Sequence, residues 1–410
     1  MPSSADVVVV GAGYTGLHAA IPLVRAGRHV VVLEAGVLGH GCSTRNGGQV
    51  STSIKPSFAT LARKHGQDAA QALIQEGYDS VDWLDAFIER EGVQCRFTRC
   101  GSFHGAHSPG QFQLMQDNLR GEIGLASSGV RLIEPQHLAT EIGTSRYYGG
   151  AVYPQEGSLQ PAHYHQELAR LALAAGAEIH AHTPALEMEE DRQSVKVRTA
   201  RGDIRANEVI VATNGYTGTA TPALRKRVIP VGSYMIATEP LSEALINSVL
   251  PTNRIICDTR KVIYYYRPSP DRSRVIFGGR VSAGEVPAEV SAPRLRGAMI
   301  ELFPQLQDVR ISHSWLGFVA FTFDNLAHVG RSGRIHHALG YCGSGIAMSS
   351  YYGARLGHTL AGTSHTAAYL DRAVAQRPEL PFRSRPFYSG QPWFLSTAIR
   401  YYRWRDRIAR

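Results

Sequence analysis

The amino-acid sequence predicts an α/β protein of two domains, and three observations predict it. A short apolar run, Asp6 to Val10, passes through a glycine turn into a helical stretch and a second apolar run, His29 to Leu33. That is a strand–helix–strand unit of a parallel sheet. From Arg227 to Leu316, short strand-like segments follow one another with one helical interval, the pattern of a large, mostly antiparallel sheet. Near the end, Ala338 to Met348 again runs from a strand through glycines into a helix.

The first unit carries dinucleotide-binding signals. Gly11 permits the sharp turn out of the strand, and Gly13 lacks a Cβ, so a pyrophosphate can approach the backbone. Gly16 lets the helix pack closely on the sheet. The helix, running to about Arg25 and ending at Gly27, offers free N–H groups and its positive dipole end to the phosphates. Glu34 closes the second run, where a carboxylate accepts ribose hydroxyls. Together these features define a Rossmann-type domain. Pro22 falls inside the helix and predicts a local kink.

Composition sets the outer limits. A chain of 410 residues, 43% hydrophobic and 19% charged, is long enough for two globular cores. The net charge is +9, but arginine is scattered and no nucleic-acid motif is present, which argues against nucleic-acid binding. The five cysteines, Cys42, Cys95, Cys100, Cys257 and Cys342, show neither a disulfide framework nor metal-ligand spacing, so no metal is expected. No apolar run reaches the roughly 18 residues of a membrane span. The first strand begins within a few residues of Met1, leaving no room for a signal peptide, and a cytoplasmic location is expected.

Taken in order, Ser57 to Gly92 repeats apolar residues at helical spacing, from Leu61 through Leu73 and Leu84 to Ile88. Gln94 to Phe103 alternates like a strand, and Pro109 to Leu125 reads as helix. Pro161 suits a first helical position, and the helix that follows ends at Gly176. Short strands are expected near Ala177–Ile179, Ala185–Met188, Ser194–Thr199 and Asp203–Ala206, then a separate apolar strand at Glu208–Thr213. In the second domain, alternation sets Tyr264 and Tyr266 on one face of a strand and Tyr265 and Arg267 on the other, without saying which face meets a ligand. Aromatic packing within the sheet accounts equally well for these tyrosines.

After the second strand comes a run of small residues with an arginine, Gly39 to Gln49, suited to wrapping a bulky cofactor. With Arg45-Asn46-Gly47-Gly48-Gln49, the chain resembles the flavin-dependent amine and amino-acid oxidases of the D-amino-acid oxidase superfamily, and most of all the γ-glutamylputrescine oxidase branch. Phe321-Thr322-Phe323-Asp324 resembles the superfamily's Thr-x-Asp stretch. Where that superfamily has Gly-x-Ser-Gly-His-Gly, this chain reads Tyr341-Cys342-Gly343-Ser344-Gly345, with Ser344 in place of the histidine.

The resemblance implies FAD, held without a covalent bond because Phe318 to Asp324 contains no cysteine and Thr44-Arg45 offers no histidine. It implies a discontinuous FAD-binding domain, 1–92, 147–226 and 317–372, a substrate domain, 93–146 and 227–316, and a tail, 373–410. The cofactor is expected against the first turn (Gly11, Gly13, Tyr14, Thr15, Gly16) and the end of the second strand (Glu34, Ala35). The loop would add Gly41, Cys42, Ser43, Arg45, Asn46, Gly47, Gly48 and Gln49. Later contacts are Ala185, then Thr213, Asn214 and Gly215, then Gly343, Ser344, Gly345, Ile346 and Ala347. Tyr265, Tyr266 and Arg280 are the expected substrate-lining residues, Arg280 as a fork for a substrate carboxylate.

The implied activity is oxidation of a C–N bond in a primary or secondary amine or amino acid. Hydride passes to flavin N5, the imine is hydrolysed, and O2 or another acceptor takes the electrons. An NAD(P)H-dependent flavin hydroxylase is the rival enzyme class, but His328-Val329-Gly330-Arg331 lacks the acid those enzymes carry before the last flavin helix. A non-catalytic flavoprotein is the binding-module alternative. The basic, aromatic tail suits packing or an oligomer contact better than membrane attachment, and oligomeric state stays open.

Overall fold

A computed structural model describes residues 1–121, 129–363 and 380–408. The expected helical residues 122–125, the end of the first domain (364–372) and the start of the tail (373–379) lie outside the described residues.

Strand β1 (Ser4–Val10) turns through Gly11, at φ 104°, into helix α1 (Tyr14–Arg25) and returns as β2 (Val30–Leu33). Both faces of this parallel pair are covered, which is why its residues form an unbroken apolar run. The chain continues through α2 (Cys42–Arg45), β3 (Gln49–Val50), α3 (Phe58–His65) and α4 (Gln67–Glu91). Ser57 caps α3 by accepting the Thr60 amide, and Gly92 ends α4 in the left-handed region.

Of the strand expected over Gln94–Phe103, only the end is in a ladder, as β4 (Ser102–Gly105); upstream, Thr98 makes a lone bridge to Ser158. Next come α5 (Pro109–Gly121), β5 (Arg131–Ile133), β6 (Gly150–Tyr153), β7 (Gly157–Ser158) and α6 (Pro161–Ala175). Then follow β8 (Glu178–His180), β9 (Ala185–Glu190), β10 (Val195–Thr199) and β11 (Gly202–Val211). β11 is one strand where the sequence suggests two. Its first half hairpins with β10 and its second half lies parallel to β1, with no break between the partners.

The remaining elements are α7 (Pro222–Arg225), β12 (Ile229–Thr238), α8 (Glu243–Val249), β13 (Ile255–Asp258), β14 (Tyr264–Pro268) and β15 (Val275–Gly279). α9 (Ala288–Leu302), β16 (Ile311–Phe321), β17 (His328–Ser332), β18 (Ile335–Leu339), α10 (Gly345–Ala361) and α11 (Leu395–Ile408) complete the chain.

The first sheet has the order β17-β18-β11-β1-β2-β8, with β10 and β9 continuing from β11. The second has the order β16-β12-β15-β14-β13-β4-β6-β5 and is antiparallel except between β13 and β4. Two expected domain boundaries move. β6 belongs to the second sheet, between β4 and β5, so the sheet extends past residue 147. β16 stays with β12 as far as Phe321, beyond the expected boundary at 317, because Ile229 pairs with Phe321 at the end of a long ladder.

α1 and α10 lie side by side on the first sheet. A Cβ on Gly353 would collide with the Thr15 carbonyl oxygen, and one on Gly357 with the Ala19 carbonyl oxygen and the Pro22 ring. The proline that looks awkward in sequence therefore sits in a hollow made by a glycine, and α1 runs through it unbroken. Among the described residues, no helix is long and apolar enough to cross a membrane.

Candidate active site

The two sheets enclose one end of a cavity of about 1050 Å³. At its first end, Gly11 donates to the Leu33 carbonyl and Gly13 starts α1 without a side-chain cap. A Cβ on Gly13 would lie 2.9 Å from Ser43 Oγ, so backbone forms the wall there. The Tyr14 amide donates to Ser43 Oγ at 3.1 Å. Glu34 accepts the Ala12 amide at 3.1 Å on one oxygen and the Gly36 amide at 3.0 Å on the other. His165 on α6 backs the turn, its Nε2–H donating to the Ala12 carbonyl at 2.7 Å. Burial lowers its pKa. No sequence motif marks His165, which reads as one more position on an amphipathic helix.

The loop that follows is shaped by the second sheet. Asn46 donates to the carbonyls of Cys42 and Ser43 and accepts the Gly48 amide at 2.8 Å. Arg267, on β14, donates to the carbonyls of Gly47 at 2.7 Å and Leu159 at 2.8 Å. Burial lowers its pKa to about 10. Gln49 donates to the carbonyls of Ile256 and Tyr266, tying β3 to β13 and β14. On β16, Trp315 Nε1 donates to the Arg45 carbonyl, while the Arg45 guanidinium donates to the Leu316 carbonyl at 3.3 Å. Arg45 therefore points to β16 and does not line the cavity; Gly48 lies behind it, under Arg267 and Leu159.

A second turn faces the same cavity. Gly340, Cys342 and Gly343 all have positive φ, and Ser344 starts α10 without a side-chain cap. The Gly340 amide donates to Asn214 Oδ1 at 2.9 Å, and the Cys342 amide to the Ala320 carbonyl. Tyr341 OH donates to the Ala338 carbonyl and lies 2.7 Å from Thr15 Oγ1, which joins the two turns. Tyr14, Thr15, Ala35, Gly41, Cys42, Ser43, Asn46, Gly47 and Gln49 reach the cavity from the first side. Ala185, Thr213, Asn214, Gly343, Ser344, Gly345 and Ile346 reach it from the second. Besides Arg45 and Gly48, three expected contacts do not. Gly16 is pressed against Gly11 and Val9, Gly215 against Phe318, and Ala347 is buried in the core under α1 and α4.

On the substrate side, Tyr265 lines the cavity with its hydroxyl 2.5 Å from Ser233 Oγ. Tyr266 does not, and its expected role is corrected. Its ring stacks on Phe277, its hydroxyl meets Tyr147 OH at 2.9 Å, and it belongs to the core under α9. The alternation of β14 sends Tyr265 and Arg267 to the cavity and loop and Tyr264 and Tyr266 to that core. Arg280 reaches the wall, but its Nη1 donates to Glu285 at 2.7 Å and to the Gly232 carbonyl. The fork expected for a substrate carboxylate is already engaged by Glu285.

Several lining residues have no sequence signal. Glu156 accepts Ser51 Oγ at 2.6 Å and the Thr52 amide on Oε1. Its Oε2 has no hydrogen-bond partner, and His104 Nε2 stands 3.8 Å away. Burial opposes the charge of Glu156, but His104 and the Ser102 and Ser51 hydroxyls outweigh it and hold the carboxyl below its ordinary range. Lys55 stands near the second turn, a Cβ on Gly343 falling 3.9 Å from Nζ. Phe394, Leu395, Ala398, Ile399 and Tyr402, before and along α11, close the far wall.

Two uncapped helix N-termini, from opposite ends of the chain, open on one cavity. Each presents free N–H groups and partial positive charge, so the site fits an anionic cofactor long enough to meet both. A flavin dinucleotide has that reach, and the fold and site define a flavin oxidoreductase. The chain belongs to the FAD dependent oxidoreductase (DAO) family, whose sequence profile matches residues 6–358. It is 30% identical to the gamma-glutamylputrescine oxidoreductase of Escherichia coli (strain K12) over 405 residues, 98% of this chain and 93% of that protein. It is also 30% identical over 363 residues to the probable oxidoreductase OrdL of Haemophilus influenzae, covering 87% of this chain and 83% of that one. Among solved structures, glycine oxidase from Geobacillus kaustophilus shares the fold with a TM-score of 0.74 at 18% identity, over 89% of this chain and 96% of that one. L-proline dehydrogenase from P. horikoshii gives 0.71, also at 18% identity, over 93% of this chain and 100% of that one. The protein is an FAD-dependent enzyme of the amine and amino-acid oxidase kind.

Proposed function

We propose that the enzyme oxidises the C–N bond of a primary or secondary amine, or of an amino acid, and passes the electrons to O2. Bound FAD supplies the hydride acceptor, and the resulting imine hydrolyses in water. The observation that carries the amine reading is Glu156. A buried carboxylate held in its charged form at the cavity wall, with His104 3.8 Å from its Oε2, adds negative charge that suits a cationic amine. Tyr265 and Ser233 offer a hydroxyl pair on the same side, and the apolar residues of α11 help exclude water. The gamma-glutamylputrescine relative adds support for a primary amine on a short chain, one that carries a carboxylate. Lys55 and Lys261, both at the cavity, supply positive charge for such a group. Five unpaired cysteines agree with a cytoplasmic location.

The test is an anaerobic titration of the holoenzyme with amines and amino acids, followed by absorbance. A substrate should bleach the flavin without NAD(P)H, and admitting air should restore the colour. Slow recovery in air with fast recovery by a dye would make the enzyme a dehydrogenase with another acceptor. Bleaching by NADPH and by no amine would replace the proposal with the hydroxylase class.

A further inference from the structure

α11 has two different faces. Its inner face carries Leu395, Ala398, Ile399 and Tyr402 to the cavity wall. Its one acid, Asp406, also turns inward and accepts the amides of Lys261 at 2.9 Å and Val262 at 3.1 Å. The outer face exposes Tyr401 (50%), Trp404 (57%) and Ile408 (61%), with Trp393 just before the helix at 74%. These helix positions recur at three- and four-residue spacing and so form one stripe. Arg400 and Arg405 are exposed beside it. From Leu395 to Arg410 the sequence holds five arginines against that single acid.

We propose that the outer face of α11 docks the enzyme on an anionic lipid surface. Tryptophan and tyrosine pair an apolar ring with a polar edge, the chemistry of the headgroup boundary, and flanking arginines add attraction to anionic headgroups. Left in water, the stripe exposes large aromatic surface beside unneutralised charge. A second copy of the chain fits it less well. A two-fold contact brings the same patch of each copy together, and Arg400 and Arg405 would meet their own kind with no acid on the outer face to offset them. An anionic bilayer offers an apolar boundary and opposite charge in one layer. The helix is about 21 Å long by its rise per residue and would lie in the surface, not cross it. The same helix walls the cavity, so the docked face lies directly behind it.

The experiment is co-sedimentation of the FAD-loaded full chain with phosphatidylcholine vesicles and with mixed phosphatidylcholine–phosphatidylglycerol vesicles, at low and high salt. Binding is expected to the mixed vesicles only, to fall with salt, and to be accompanied by a blue shift of tryptophan fluorescence. The triple variant Trp393→Ser, Tyr401→Ser, Trp404→Ser and the charge variant Arg400→Glu, Arg405→Glu should each bind at least about tenfold more weakly, with the flavin spectrum unchanged. Wild-type protein that stays in solution with the anionic vesicles, or variants that bind as well as wild type, would overturn the proposal. A dimer in sedimentation that the same variants dissolve, with no vesicle binding, would assign the stripe to a second copy instead. The wild-type fluorescence shift decides the matter even if a variant fails to fold.

Discussion

The Glu34 carboxylate holds the Ala12 amide at 3.1 Å, so the end of β2 and the glycine turn after β1 are one unit. The other oxygen holds Gly36. Glu34 also lines the cavity, and a carboxylate at the end of this strand is expected to accept ribose hydroxyls of the cofactor. Glu34→Ala should weaken FAD by roughly 1–3 kcal/mol, the scale for losing a charged hydrogen-bond partner. Fluorescence titration of apoprotein with FAD measures it, and unchanged affinity would remove Glu34 from the site.

FAD should be released by acid. Burial pushes the Cys42 thiol up to about 12 and the Cys342 thiol up to about 11, so both are protonated and poor nucleophiles at neutral pH. His40, also at the cavity, is another residue able to form a tether, as are His104, His165 and Cys257. After trichloroacetic acid precipitation the supernatant should be yellow; a washed pellet that stays yellow would mean a covalent link.

The adjacent tyrosines should separate by phenotype. Tyr265→Phe removes a hydroxyl at the cavity and should alter kcat or KM with little change in stability. Tyr266→Phe breaks the contact with Tyr147 in the core and should cost about 1 kcal/mol in stability while leaving KM alone. Steady-state kinetics and urea melts on both variants test this, and the reverse assignment would contradict the orientation of β14.

Stability should fall as pH drops from about 6.5 toward 4. Burial lowers His18 to about 3 and His337 to about 4, so the folded state keeps both neutral while the unfolded chain protonates. The unfolded state then binds more protons, and each histidine contributes a loss of at most about 1.4 kcal/mol per pH unit in that window. Urea denaturation at several pH values gives the slope. His18→Gln should flatten it, and an unchanged slope would show that His18 is not a source.

Gly353→Ala should shift the melting temperature down, because its Cβ meets the Thr15 carbonyl of a neighbouring helix and neither backbone can yield cheaply. A loss of roughly 1–3 kcal/mol is expected, together with weaker FAD binding. A variant as stable as wild type would mean that α1 and α10 can part without cost.

The parts of the fold that depend on local spacing were legible in the sequence. The glycine turn, the flanking apolar runs and Glu34 lie within one short segment, and the second glycine turn repeats the pattern. Residues whose role depends on partners far along the chain were not. Nothing near Arg45 says that it will donate to Leu316, and only the placement of α9 decides that Tyr266 is core and Tyr265 is not. Glu156 meets Ser51 and Thr52 from a hundred residues away, in a stretch that reads only as turn. The aromatic tail was visible as composition, but the two faces of α11 appear only once it is docked.

The close contact of α1 with α10 also works as a gauge. Thr15 lies against Gly353 and Ala19 against Gly357, so the helices run in the same direction in fixed register. By that register α10 begins about 10 Å beyond the start of α1, counted at the helical rise. The spacing between the two positive ends is thus set by glycines in the core and not by loops at the surface. A molecule that spans the gap is held at both marks, and one that stops short is held at only one. The lock between two buried helices therefore sets the span that a cofactor has to match, from glycines that do not themselves line the cavity.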